Sequence, residues 1–574
     1  MQKKIIRRTI SESSLAQTDL HPLLQRIYSA RGVQTAAELE QSLERLLPWY
    51  DLLGILQAVE LLTATIAQQK NILIVGDFDA DGATGTAVAM RALKSFGVQT
   101  VHYLVPNRFS FGYGLTPGLV EMAQSFQPHL IVTVDNGIAN HAGVSAAKAL
   151  GIQVLITDHH LPADTLPSAD VIVNPNQPGD IFASKSIAGV GVIFYVMLAL
   201  RAHLREQKYF SEKKIPEPNL AHLLDLVALG TVADVVPLDH NNRILVHQGL
   251  RRIRSGHCIA GIRALLEISQ RDIQRIQASD LAFSVAPRLN AAGRLDDMSL
   301  GIECLLCDDE IRAREMAEVL SQLNDERRVI EQDMQQQALR AVEKIHLADE
   351  KKLPYGLCLF EKDWHQGVIG IVAGRIKDKW HRPVIAFAAE DEKSLKGSAR
   401  SIPGLHIRDA LAEIDAKHPQ LIQKFGGHAM AAGLSIARES FKTFAEIFQA
   451  TIAARLEEKD LQHIILSDGE LTPEEHTLST AELLRAAGPW GQHFPEPIFD
   501  GTFDMLEQRI VGSKHLKMTL SQSGQIFSAI AFNVDLNQWP NHRCQQVHIA
   551  YRMDVNEYRG KCSMQLIVEH LEVL

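Results

Sequence analysis

At 574 residues the chain is too long for one hydrophobic core, so roughly three or four domains are expected. Hydrophobic residues at 46% and charged residues at 22% describe a globular chain and exclude a disordered or membrane-embedded one. The formal net charge of -10 excludes a uniformly basic coat for nucleic acid and leaves a local groove as the way to hold a polyanion.

Met1 to Arg8 is basic but carries no apolar signal core behind it. The longest apolar stretch, Ile187 to Leu200, is about 14 residues with two glycines, short of a bilayer span. A cytoplasmic location with no membrane partner is expected. Residues 1–50 read as a small helical lead-in with acidic segments such as Ala37 to Leu46.

From Asn71 short β-branched runs alternate with helical segments: Ile72–Val75, Val101–Val105, Leu130–Val134, Val154–Thr157 and Val171–Val173. Continuous apolar strands separated by helices predict a parallel sheet covered on both faces, an α/β domain over 51–305. The six cysteines form no disulfide framework, and the lone CxxC of Cys304 and Cys307 reads as core, since zinc needs a second pair.

No glycine or proline occurs between Gly301 and Pro354. Ile311, Met316, Leu320, Leu323, Ile330, Met334, Val342 and Ile345 recur at helical spacing, predicting a long connecting helix over 306–350. A second, smaller α/β domain is expected over 351–460. It has strands at Gly356–Phe360 and Pro383–Phe387, a helix over Val368–Lys379, a Gly397-Ser398-Ala399-Arg400-Ser401 loop and a glycine-rich run from Gly426 to Gly433. The tail over 461–574 alternates apolar and polar residues between turn signals, as a small antiparallel barrel does.

The chemistry gathers where apolar runs end. Asp77, Asp79 and Asp81 alternate between Gly76 and Gly82, so in an extended strand they would share a face. Asp135, Asp158-His159-His160 and Asp234 each follow a further apolar run, and ligands of such sheets bind outside the carboxyl ends of the strands. Two carboxylates about 4 Å apart repel by roughly 4 kcal/mol at an effective dielectric near 20, so gathering this many implies bound cations. Oxygen-rich donors with imidazole suit Mn2+ or Mg2+, and a metal pair clamps a phosphoryl centre. A calcium loop would need a distant Glu and flanking helices, and a lone Asp-x-Asp would read as a solvated turn.

Gly76-Asp77-Phe78-Asp79-Ala80-Asp81-Gly82, Val134-Asp135-Asn136-Gly137, Asp158-His159-His160 and Ala233-Asp234 resemble the four motifs of the DHH phosphoesterase superfamily. Gly426-Gly427-His428-Ala429-Met430-Ala431-Ala432-Gly433 resembles the motif of its accessory DHHA1 domain, and the tail resembles an OB-fold. The resemblance implies a two-metal site for Mn2+ or Mg2+ held by Asp79, Asp81, Asp135, His159 and Asp234, with Asp135 as the bridge. Asp77 would be a further ligand or would orient a water or a neighbour. Asp158 would hold an imidazole, and His160 would face the scissile phosphate.

Arg108, Arg288, Ser398 and Arg400 are candidates to cradle a 5′-phosphate, since arginine forks match phosphate oxygens. Arg294, in a Pro287–Arg294 run that also resembles a family motif, is a substitute, and His428 would approach the phosphate closely. Lys514, His515 and Lys517 would either track a DNA backbone on the barrel or form a solvated edge. The resemblance implies a monomeric exonuclease that hydrolyses single-stranded DNA in the 5′→3′ direction to 5′-mononucleotides. It would act in repair and recombination, alongside a single-strand-binding protein and a helicase. The alternatives are a phosphodiesterase acting on short oligonucleotides or cyclic dinucleotides, whose relatives are shorter and lack the barrel, and a non-catalytic scaffold.

Overall fold

The computed structural model describes residues 3–10, 12–107, 111–348, 353–558 and 560–574. Strands Ile72–Gly76 and Leu130–Val134 are buried along their whole length. They lie in a five-stranded parallel sheet ordered Val101–Leu104, Ile72–Gly76, Leu130–Val134, Gln153–Thr157, Val171–Val173. Alternate side chains enter two different cores. Ile72, Ile74, Leu130 and Val132 pack with helices Ala80–Ser95 and Gly189–Glu206. Leu73, Val75, Ile131 and Ile156 pack with helices Pro117–Ala123 and His141–Ala149 on the other face. Each such side chain contributes about 1.5–3 kcal/mol by leaving water, which is why the β-branched runs settle here. The strand order reverses between Ile72–Gly76 and Leu130–Val134, and a crevice at that switch point is where doubly wound sheets bind ligands.

The chain forms two compact units, Arg8–Asn324 with Asp468–Leu574, and Met1–Arg7 with Asp325–Ser467. In the first, the tail closes as a five-stranded barrel ordered Phe499–Val511, His515–Gln522, Gln525–Ala531, Lys561–Val573, Gln546–Tyr558. It is antiparallel except where Gln525–Ala531 meets Lys561–Val573 in parallel. The barrel shares its core with the sheet domain. Phe499, Phe503 and Leu484 join one apolar cluster with Leu24 and Ile27, and Arg31 grips buried Asp468 through two bonds of 2.8 and 3.0 Å. Truncating the chain near residue 470 would therefore expose core rather than remove a separable module.

The second unit carries a mixed sheet ordered Lys424–Gly427, Ala431–Ala437, Ser394–Arg400, Val384–Ala389, Leu357–Phe360, with helix Ile369–Trp380 packed on it. The lead-in that reads as helical opens with strand Lys4–Arg7, which pairs in parallel with Ile464–Ser467. Helix Glu310–Ala348 is 39 residues, ~58 Å at about 1.5 Å per residue. Its buried seam uses Ala313, Ala317 and Leu320, then Met334, Ala338 and Val342, while Ile311 is exposed. Alanine lets a neighbouring helix approach where isoleucine would not, which hydrophobic periodicity alone does not reveal. The side chain of Ile345 lies outside the described residues. Cys304 is buried and Cys307 half-buried, both free thiols. No single helix among the described residues is long and apolar enough to cross a membrane.

Candidate metal centre

Strand Ile72–Gly76 turns almost at once into helix Ala80–Ser95. Asp77, Asp79 and Asp81 therefore occupy a strand–turn–helix corner, not one face of an extended strand. The cause is Asp79, which caps the helix by accepting the Asp81 and Gly82 amides, both at 3.0 Å, a cap worth ~1 kcal/mol. Asp77 accepts the Phe78 amide at 2.8 Å. Buried Asp81 accepts the amides of Gly189 at 2.7 Å and Val190 at 2.9 Å, at the start of helix Gly189–Glu206, where the helix dipole favours an anion. Asn290 accepts the Ala80 amide at 2.8 Å, so helix Ala286–Leu295 braces the corner. The Pro287–Arg294 run draws notice for its arginines, yet its asparagine bonds this corner and its Gly293 packs against the Phe78 carbonyl.

Asp135 follows strand Leu130–Val134 with φ of 63°, a left-handed conformation that costs a non-glycine residue ~1 kcal/mol. Its amide donates to the Thr157 carbonyl at 3.0 Å, and its carbonyl accepts the Tyr113 hydroxyl at 3.1 Å. A Cβ at Gly189 would stand 2.5 Å from the Asp135 Cβ, so only glycine fits there. Asp158, after strand Gln153–Thr157, accepts the Ile138 amide on Oδ2 at 2.9 Å. Its Oδ1 accepts the amides of His159 and His160 and faces His160 Nδ1 at 2.7 Å. His159 turns the other way: its Nε2 lies 3.0 Å from Asp135, 3.5 Å from Asp234 and 4.0 Å from Asp81. Asp234 ends helix Leu224–Ala233 rather than a strand. A short, nearly all-apolar run reads alike in either form, because it has no period to betray it. Val235 beside it holds φ of 59°, an outlier for a β-branched residue.

Three overlapping sets bring their donor atoms within 4.8 Å of one another: Asp77 with Asp79 and Asp135; Asp81 with His159 and Asp234; and Asp135 with His159 and His160. Burial, then the charge of Asp234, pushes Asp81 up to about 7. Burial, then Asp79, does the same to Asp234, and burial with Asp81 lifts Asp135 well above the carboxylate range. Burial and His160 lower His159. Burial opposes the ion pair of Asp158 with His160, but the pair prevails, leaving Asp158 at about 2 and His160 at about 9. Asp135 Oδ1 and His159 Nε2 are buried, close, and without a hydrogen-bond partner. Two such atoms facing one another, among carboxylates that resist ionising together, fit a divalent cation.

A pH dependence follows. Asp81 and Asp234 carry folded-state values near 7, above the unfolded carboxylate range near ~4. The stability they lend the metal-free protein is thus full at low pH and lost as pH rises through about 7. A cation replaces those protons. Mn2+ should therefore raise the melting temperature more at about pH 8 than at about pH 5.5, as differential scanning fluorimetry would read. Equal shifts would mean that metal and protons do not compete.

The remaining candidates divide. Arg108 lies outside the described residues. Arg288 is buried, donating to the Ser284 carbonyl at 2.5 Å and to Ser321 Oγ at 3.3 Å, and Arg294 is half-buried in the last turn of helix Ala286–Leu295. Ser398 and Arg400 share one face of strand Ser394–Arg400, with the guanidinium donating to Ser398 Oγ at 3.2 Å and to the Ala399 carbonyl at 2.8 Å. They lie against Gly370 at the start of helix Ile369–Trp380, where a Cβ would come within 2.8 Å of Arg400 and 2.9 Å of Ser398. Cross-strand, Gly433 faces Ser398 and Ala431 faces Arg400, and exposed His428 sits in the hairpin turn just before them. The small residues of that motif leave the sheet bare beside the arginine. Lys514 is exposed in a barrel turn, and Lys517 stands opposite Arg509, a further cation that no sequence motif marks.

Comparison with known proteins agrees with this geometry. Residues 71–231 match the DHH family, N-terminal domain; 352–454 match the DHHA1 domain; and 467–570 match the RecJ OB domain. The single-stranded-DNA-specific exonuclease RecJ of Escherichia coli (strain K12) is 53% identical over 572 residues, covering 99% of both chains. The protein of the same name from Thermus thermophilus is 33% identical over 490 residues, covering 84% of this chain and 66% of that one. The crystal structure of RecJ from Thermus thermophilus in complex with Mn2+ aligns with a TM-score of 0.80 at 30% identity, over 100% of this chain and 80% of that one. The sequence motifs, the domain order and identity along the full length agree: the chain belongs to the RecJ family of DHH phosphoesterases.

Proposed function

We propose that the protein is a metal-dependent exonuclease that hydrolyses single-stranded DNA in the 5′→3′ direction to 5′-mononucleotides, in DNA repair and recombination. The observation that carries this reading is the meeting of Asp77, Asp79, Asp81, Asp135, Asp234 and His159 around the switch point of the parallel sheet. Asp77, Asp79 and Asp135 would hold one cation and Asp81, His159 and Asp234 the other, with Asp135 within reach of both. Bound Mn2+ or Mg2+ supplies Lewis acidity at the phosphorus and lowers the pKa of water.

The protein's own groups do the rest. Asp158 has both oxygens engaged and keeps the His160 ring in one orientation. Against the opposing effect of burial, the Asp158 carboxylate raises His160 to about 9 in the metal-free protein, and the ring can donate to a phosphate oxygen. Arg400 and Ser398, with the first amides of helix Ile369–Trp380, form an anion cradle for the 5′-phosphate. Arg108, Arg288, Arg294 and His428 are further candidates for that role. Arg509, Lys514 and Lys517 give the barrel a cationic face for the DNA backbone. A monomer working with a single-strand-binding protein and a repair helicase completes the proposal.

The test is a time course on one DNA strand labelled at either end. Mononucleotide should leave a 5′ label at once and a 3′ label last, and only with Mn2+ or Mg2+ present. Simultaneous release from both ends, or faster turnover of dinucleotides, would favour the short-oligonucleotide phosphodiesterase.

A further inference from the structure

Tyr113 touches three parts of the centre, Asp135, His160 and Phe78, yet no sequence motif marks it beyond its flanking glycines. Its hydroxyl donates to the Asp135 carbonyl at 3.1 Å and lies 3.3 Å from both ring nitrogens of His160. Its ring meets His160 edge-on at 5.8 Å and Phe78, inside the aspartate corner, edge-on at 6.0 Å. We infer that Tyr113 is a positioning residue, whose hydroxyl fixes the strained backbone of Asp135 and the ring of His160 together. This rests on the nuclease reading above.

The backbone around it is built for that placement. Gly112 and Gly114 hold φ of 77° and 68°, conformations that other residues seldom adopt. Asn140 donates to the Tyr113 carbonyl at 3.3 Å, and a Cβ on Gly114 would strike the Asn140 side chain at 2.3 Å. The segment is thus pinned to the loop that follows Asp135. A left-handed non-glycine residue persists only when its surroundings over-determine it. For Asp135 those surroundings are its bond to Thr157, the close approach of Gly189, and the Tyr113 hydroxyl.

Tyr113→Phe removes the hydroxyl and keeps the ring; Tyr113→Ala removes both. The test uses the full chain on 5′-phosphorylated single-stranded DNA with Mn2+, together with calorimetric titration of Mn2+ alone. For Tyr113→Phe, kcat should fall about tenfold or more with KM within about twofold, and Mn2+ affinity should fall by a similar factor. Its metal-free melting temperature should fall by no more than a few degrees, the cost of about one hydrogen bond. Wild-type kcat and Mn2+ affinity in Tyr113→Phe would overturn the inference. So would a normal Tyr113→Phe beside a Tyr113→Ala with raised KM, which would make the ring a DNA contact. If wild type cleaves no DNA, the nuclease reading fails, while the Mn2+ titration still decides the positioning role.

Discussion

Asp135→Asn should cut Mn2+-dependent hydrolysis by on the order of a thousand-fold, the several kcal/mol that a metal centre contributes. Asn is the informative replacement because it tolerates the left-handed backbone that Asp135 adopts, so the charge is removed without adding strain. The buried carboxylate is held well above its ordinary value, by burial first and then by Asp81, Asp79 and Asp234. Removing it relieves repulsion in the metal-free protein, which should melt at or above the wild-type temperature, as functional sites built against stability do. Mn2+ should no longer raise that temperature as it does in wild type. A residual rate within about tenfold of wild type, or an intact Mn2+ shift, would contradict the assignment.

Arg400→Ala should erase most of the preference for a 5′-phosphorylated end. Its guanidinium is half-buried, and burial lowers its pKa. Its hydrogen bonds go to a hydroxyl and a carbonyl, and among the described residues no carboxylate forms an ion pair with it. A half-buried cation with no acid beside it favours an arriving anion. Charge-assisted bonds are worth about 1.5–3 kcal/mol, so kcat/KM for phosphorylated over hydroxyl-ended DNA should fall about 10–100-fold. Arg400→Lys should not restore it, because an ammonium cannot form the fork. Mn2+ affinity should be untouched. An unchanged end preference would move the phosphate contact to Arg108, Arg288 or Arg294.

The parts legible in the sequence are those whose signal is local. Ile72–Gly76 and Leu130–Val134 announce themselves because strands buried on both faces must be apolar throughout, and the aspartates after them fall at the sheet's carboxyl edge. The placement of Asp234 is obscured because its helix carries apolar residues on all sides. Lys4–Arg7 pairs with a strand far along the chain, a partnership that no local pattern encodes. The barrel reads as a separable module, yet its core continues into that of the sheet domain. Asn290, Gly370 and Tyr113 act through contacts between distant parts of the chain that only folding brings about. Arg288 illustrates the converse: a motif arginine whose donors already serve Ser284 and Ser321.

Anomalous diffraction from crystals soaked in Mn2+ reads the donor set most directly. Two peaks about 3.5–4 Å apart should lie within bonding distance of Asp77, Asp79, Asp81, Asp135, His159 and Asp234, with Asp135 touching both. No peak at saturating Mn2+, or peaks that leave Asp135 and His159 uncoordinated, would contradict a two-cation hydrolytic centre.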